Sequence, residues 1–133
     1  MKRNVFVVLF LVLALTLVSV GCKRTVPIEQ RGNHALSAYG KLTNNQVRDA
    51  IIRGGAGIGW EMQEERPGLV VGVWKARDHS VTVEIPYSTQ EYVIKYRTST
   101  NLRAENGQIH SNYNRWIERL NRHITAEIDS IKK

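Results

Sequence analysis

The sequence predicts an α+β fold: a two-layer sandwich in the order α-β-β-β-β-α, with a four-stranded antiparallel meander carrying two helices on one face. Three observations lead there. A helix-start signal stands at Thr43, apolar and polar residues alternate through four stretches between Trp60 and Tyr96, and apolar residues recur at three- and four-residue steps from Tyr113 to Ile131. The composition agrees, because 133 residues that are 42% hydrophobic and 23% charged suit a globular domain and exclude a disordered or membrane-filling chain. A stretch of this length makes one small domain.

Thr43-Asn44-Asn45-Gln46 forms a capping box, with Thr43 placed to accept an orphan N–H and Gln46 to reach back. In the helix that follows, Val47, Ala50, Ile51 and Ile58 share one face while Arg48, Asp49 and Arg53 share the other. The run Gly54-Gly55-Ala56-Gly57-Ile58-Gly59 ends it. These glycines do not make a phosphate loop: none of them satisfies G-x-G-x-x-G, and the pair Gly54 and Gly59 is followed by Trp60 instead of Lys and a hydroxyl residue. They read as helix termination with close helix–sheet contact.

Four strands follow, and their registers are expected from constant antiparallel pairing. Around Arg66-Pro67-Gly68, Trp60 is set opposite Trp74 and Met62 opposite Gly72. A turn at Asp78-His79 pairs Trp74 with Val83 and Ala76 with Val81; a turn at Ser88-Thr89 pairs Val83 with Ile94, Ile85 with Tyr92 and Val81 with Tyr96. One face then collects Trp60, Met62, Val70, Trp74, Val81, Val83, Ile85, Tyr92, Ile94 and Tyr96, the expected core. After a polar loop over 101–108, a long helix begins near Ile109 and turns Tyr113, Trp116, Ile117, Leu120, Ile124, Ile128 and Ile131 onto that face.

Ahead of the domain lies a leader. Lys2 and Arg3 precede an apolar run from Val5 to Val18, long enough for a signal-peptide core and short for a bilayer span. It ends in Ser19-Val20-Gly21-Cys22, which resembles the lipobox of bacterial lipoproteins, with Ser19 in place of the usual Leu. That resemblance implies that residues 1–21 are a lipoprotein signal peptide and that Cys22 becomes the N-terminus, carrying diacylglycerol and an amide-linked palmitate. Lys23, where an Asp would favour the inner membrane, implies the outer membrane. Residues 22–42, interrupted by Pro27, Gly32, Asn33, Ser37 and Gly40, read as a flexible tether in which His34 and Tyr39 are solvated, and 43–133 as the single domain.

The run Gly59-Trp60, Arg77-Asp78-His79, Ile85-Pro86-Tyr87-Ser88, Tyr92-x-Ile94-x-Tyr96, Asn101-Leu102 and Ile109-His110-x-Asn112-Tyr113-Asn114-x-Trp116 resembles a group of short, uncharacterised lipoproteins of Gram-negative bacteria. The resemblance spans about residues 45 to 128. It implies location and fold, and no activity.

The residues offer little catalytic chemistry. The four histidines, His34, His79, His110 and His123, lack metal-ligand spacing, so neither metal nor cofactor is expected. Asp78-His79 sits in a turn, with no Ser in a nucleophile context. His110 reads as a helix-cap neighbour, with Asn112 and Asn114 as its companions in any cleft, and Glu61 and Glu84 lie two strands apart on the exposed face. The chain is therefore expected not to be an enzyme.

The charge of +7, from 19 basic and 12 acidic residues, falls to about +5 on loss of Lys2 and Arg3, so the chain stays basic. A periplasmic address excludes nucleic acid and points to anionic lipid, lipopolysaccharide, peptidoglycan or an acidic protein. On the outer sheet face, the expected registers bring Lys75 and Lys95 beside Thr82, and Arg77 and Arg97 beside Ser80, with Val71, Val73 and Val93 flanking them. These four cations are the candidate anionic-ligand site. The sequence thus points to a lipid-anchored, periplasm-facing interaction or assembly module of the envelope, or alternatively to a binder of an anionic envelope ligand.

Overall fold

In the computed structural model, which describes residues 24–131, the chain is α+β. Its strands are β1 (Thr25–Pro27), β2 (Arg31–Asn33), β3 (Glu61–Arg66), β4 (Leu69–Ala76), β5 (His79–Pro86), β6 (Tyr92–Thr100) and β7 (Gln108–His110). The helices are α1 (Asn44–Ala56) and α2 (Asn112–Ile131), with a short 3-10 turn at Leu36–Tyr39. The capping box forms: Thr43 Oγ1 accepts from Gln46 N–H at 3.1 Å, and Gln46 Oε1 accepts from Thr43 N–H at 2.9 Å. The helix runs on through Gly54 and Gly55 before it ends, which corrects the reading of the whole glycine run as a terminator. Gly54 is there for contact, since a Cβ on it would stand 2.8 Å from the backbone N and Cα of Ile124 on α2. The close approach is thus between helices as well as to the sheet.

The main sheet has five antiparallel strands in the order β2-β6-β5-β4-β3, not four. The fifth comes from the segment expected to be a flexible tether. Within 22–42, β2 pairs with β6, β1 pairs with β7 in a second small sheet, and Leu36 and Leu42 are buried in the core. Tyr39 packs against that core and His34 contacts Glu91 at 2.6 Å. Three-residue strands satisfy their backbone against a longer strand, as β2 does on β6, or against another short one, as β1 does on β7, without any hydrophobic period of their own, and composition alone therefore reads as linker. β7 likewise takes residues 108–110, and α2 begins at Asn112 instead of Ile109.

The first hairpin keeps its expected register, with Met62 opposite Gly72. The next two are each displaced. Trp74 pairs with Val81 and Ala76 with His79, so the turn is Arg77-Asp78, with Arg77 held at φ 57°. Val83 pairs with Tyr96, and the chain reverses through a loop at 88–91, bounded by a Tyr87–Tyr92 bridge. Ser88 organises that loop: its N–H donates to Glu91 O at 2.8 Å, and its Oγ accepts from Gln90 N–H at 3.0 Å. A bulge between Thr82 and Val83 leaves Arg97 as the extra residue on β6, beyond which Thr82 faces Thr98. A slip of two residues preserves which face each side chain occupies, and so the expected core survives the wrong partners.

Trp60, Val70, Val81, Val83, Ile85, Tyr92 and Ile94 are buried in one cluster with Val47, Ala50 and Ile51 of α1 and with Tyr113, Ile117, Leu120, Ile124 and Ile128 of α2. Both helices therefore cover the same sheet face. Met62, Trp74, Tyr96, Trp116 and Ile131 pack at its margin. Burying each large aliphatic side chain favours folding by about 1.5–3 kcal/mol, and this single cluster is the main cohesive term of the domain.

Candidate functional site

The face of the sheet turned away from the helices draws residues from four strands. Glu61, Gln63 and Glu65 come from β3, Val71, Val73 and Lys75 from β4, Ser80, Thr82 and Glu84 from β5, and Val93, Lys95 and Thr98 from β6. Val71, Val73 and Val93 are half-buried. Beside the β3 edge lies a shallow groove of about 450 Å³, lined by Glu61, Gln63, Glu65, Val71 and Val73 together with Met62 and Glu64.

The four sequence-derived cations do not gather at one end of this face. Lys75 lies opposite Ser80 and its Nζ contacts Glu61 Oε1 at 3.0 Å. Lys95 pairs across the ladder with Glu84. Arg97, thrown out by the bulge, spans the sheet to Glu65 on β3 with a forked contact of 3.1–3.3 Å. Arg77 occupies the β4–β5 turn. The two-residue displacements of the ladders separate these side chains. On the resulting face Val71 and Val73 of β4 are separated from Val93 of β6 by Glu84 and Lys95, and an anion reaching Lys75 or Arg97 must compete with Glu61 or Glu65. Exposed pairs of this kind are worth only about 0.2–1 kcal/mol each.

Most of the polar residues singled out for chemistry hold the backbone together. The His79 imidazole Nδ1 lies 2.9 Å from Asn101 O, and Asn101 Nδ2 donates to Asp78 O at 2.8 Å. His110 Nδ1 accepts from Asn112 N–H at 3.2 Å and so caps the start of α2. Asn114 accepts from Glu29 N–H at 3.2 Å and donates to Pro27 O at 2.9 Å, which straps the entering chain to α2. The aromatic set belongs to the core, with Trp60 5.8 Å from Trp74 and Trp74 6.3 Å from Trp116, measured between ring centroids.

Two buried tyrosines carry shifted hydroxyls. Tyr92 is pushed up to about 12 by burial, although its Oη donates to Asn121 Oδ1 at 2.7 Å and meets Thr125 Oγ1 at 3.2 Å. Burial raises Tyr113 further, and the proximity of Tyr96 adds to the rise. Among the described residues, its Oη meets no hydrogen-bond partner.

No group of three or more His, Cys, Asp or Glu gathers as a metal cage among the described residues. None of their helices is long and apolar enough to cross a membrane. Cys22, the expected lipid attachment site, lies outside the described residues. The partners of Lys75 and Arg97 were missed because Glu61 and Glu65 meet them only through the sheet's actual register and bulge; the alternation of charge and apolar residues in 61–75 is the only hint in the sequence. The chain matches no protein-family model, and no curated protein sequence is similar to it.

Proposed function

We propose that this protein is a periplasm-facing outer-membrane lipoprotein, acylated on Cys22, whose domain is a non-catalytic interaction or assembly module of the cell envelope. The basic start, the apolar run and the lipobox-like end of residues 1–22 support the address. The observation that carries the interaction reading is the outer sheet face. It presents the half-buried Val71 and Val73 beside the Lys75–Glu61 and Arg97–Glu65 pairs, with Val93 farther across the sheet, and ends in the edge strand β3. Apolar residues within a polar rim are the anatomy of a protein-docking surface.

The alternative, an anionic envelope ligand held by Lys75, Arg77, Lys95 and Arg97, draws less support, because two of those cations are already matched to carboxylates and a third lies in a turn. Site-specific photocrosslinking in intact cells separates the readings. A crosslinker at Val73 or Val93 should give one discrete protein adduct that a crosslinker at His123, on the solvent side of α2, does not. Adducts of equal yield at all three positions, or none at Val73 and Val93, would remove the support.

A further inference from the structure

The fold begins almost at the anchor. Cys22 is three residues before Thr25, the first residue of β1, and three Cα–Cα steps of 3.8 Å reach at most about 11 Å. A negative lipid surface is felt over a Debye length of about 8 Å at physiological salt. An acylated Cys22 therefore holds the entry end of the domain close to the zone where headgroup charge acts, and β6, nine residues long, carries the opposite end about 30 Å away.

The entry end is cationic. Ser111 N–H donates to Arg24 O at 3.2 Å, and His110 N–H donates to Leu102 O at 2.8 Å, which places Arg103 beside the same short strand. Asn101, next along, bonds to Asp78 O and so brings in the Arg77-Asp78 turn. Arg115 stands in the first turn of α2 and donates to Asn112 Oδ1. Among the described residues, Arg24, Arg77, Arg103 and Arg115 carry no carboxylate partner, as is also true of Arg66 and Arg119 elsewhere on the domain, whereas Arg31, Arg48, Arg53, Arg97 and Arg122 each have one. Asp78, Glu105 and Glu29 are the acids nearby; Asp78 faces His79 at 3.5 Å, and Glu29, held to Asn114 through its N–H, pairs with Arg31.

We infer that this end is a membrane-docking surface. Arg24, Arg77, Arg103 and Arg115 engage the phosphate groups of the leaflet that holds the acyl chains, so the domain stands upright with its 88–91 loop outward and its valine sheet face free for a partner. This rests on the acylated-Cys22 reading. Guanidinium forks suit phosphate, and each cation brought to an anionic surface favours the docked state by about fivefold.

The test uses the acylated chain in phosphatidylethanolamine–phosphatidylglycerol vesicles with headgroup-quencher lipids, carrying one fluorophore at Ala104→Cys or at Gln90→Cys. Quenching at 104 should exceed quenching at 90 severalfold. The difference should shrink markedly in high salt, in phosphatidylcholine vesicles, and in the Arg24→Glu, Arg77→Glu, Arg103→Glu, Arg115→Glu variant, leaving only what the short anchor imposes; the matching Gln variant serves if the reversed one fails to fold. Equal quenching at the two positions, or a difference indifferent to charge and salt, would overturn the docking. The intact mass of the same sample separates the two ideas: an unacylated chain overturns the anchor and the docking with it, whereas an acylated chain without asymmetry overturns the docking alone.

Discussion

Tyr92 and Tyr113 are both fully buried, yet the same substitution should cost stability at only one of them. Tyr92→Phe removes a hydroxyl that donates at 2.7 Å to Asn121 and meets Thr125 at 3.2 Å, leaving two polar side chains short of a partner. That costs about 1–3 kcal/mol. Tyr113→Phe removes a hydroxyl with no partner among the described residues and keeps the ring packed edge-on against Tyr96 at 5.6 Å, so it should be neutral or stabilising. Urea unfolding at unchanged slope reads both effects, and 1 kcal/mol corresponds to roughly 4–8 °C in Tm for a domain of this size. Titration gives a second readout. An unfolded tyrosine ionises near pH 10, whereas Tyr92 in the fold holds its proton to about 12. The unfolded chain therefore releases its proton first, and stability that is present below pH 10 is lost as pH rises toward 12, on the order of 3 kcal/mol from this group. Tyr92→Phe should flatten that part of the alkaline decline. Equal losses from the two substitutions, at neutral pH, would refute the assigned hydrogen bonding.

Leu36→Ala should lower stability by about 2–5 kcal/mol, because Leu36 is fully buried in the core; a change within about 0.5 kcal/mol in urea unfolding would restore the tether reading of 22–42. Gly54→Ala should destabilise the protein by about 1–3 kcal/mol through its clash with Ile124, even though Ala is the better helix former by about 1 kcal/mol. A stabilised Gly54→Ala variant would show that α1 and α2 do not meet there.

What could be read from the sequence followed the strength of each periodic signal. The core side of β3 to β6 and of α2 was legible, since alternation and three- to four-residue spacing assign a face to residues such as Val83, Ile94 and Ile124. Partners across the ladder were not, because a pattern of period two is blind to slips of two residues: Trp74 met Val81 instead of Val83. β1, β2 and β7 are three residues each, too short to show a period. Leu36 and Leu42 looked like isolated apolar residues among turn formers, although both are core. The candidate site suffered most, because the environment of Arg97 depends on a bulge and on Glu65, three strands away in the sheet.

The address of the protein and the docking of its entry end both depend on Cys22. Tandem mass spectrometry of the chain extracted from purified envelopes tests this most directly. The account predicts an N-terminal peptide that starts at Cys22, with diacylglycerol on Sγ and an acyl group on the α-amine, and no trace of residues 1–21. A chain that keeps its leader, or one with an unmodified Cys22 thiol, would contradict it.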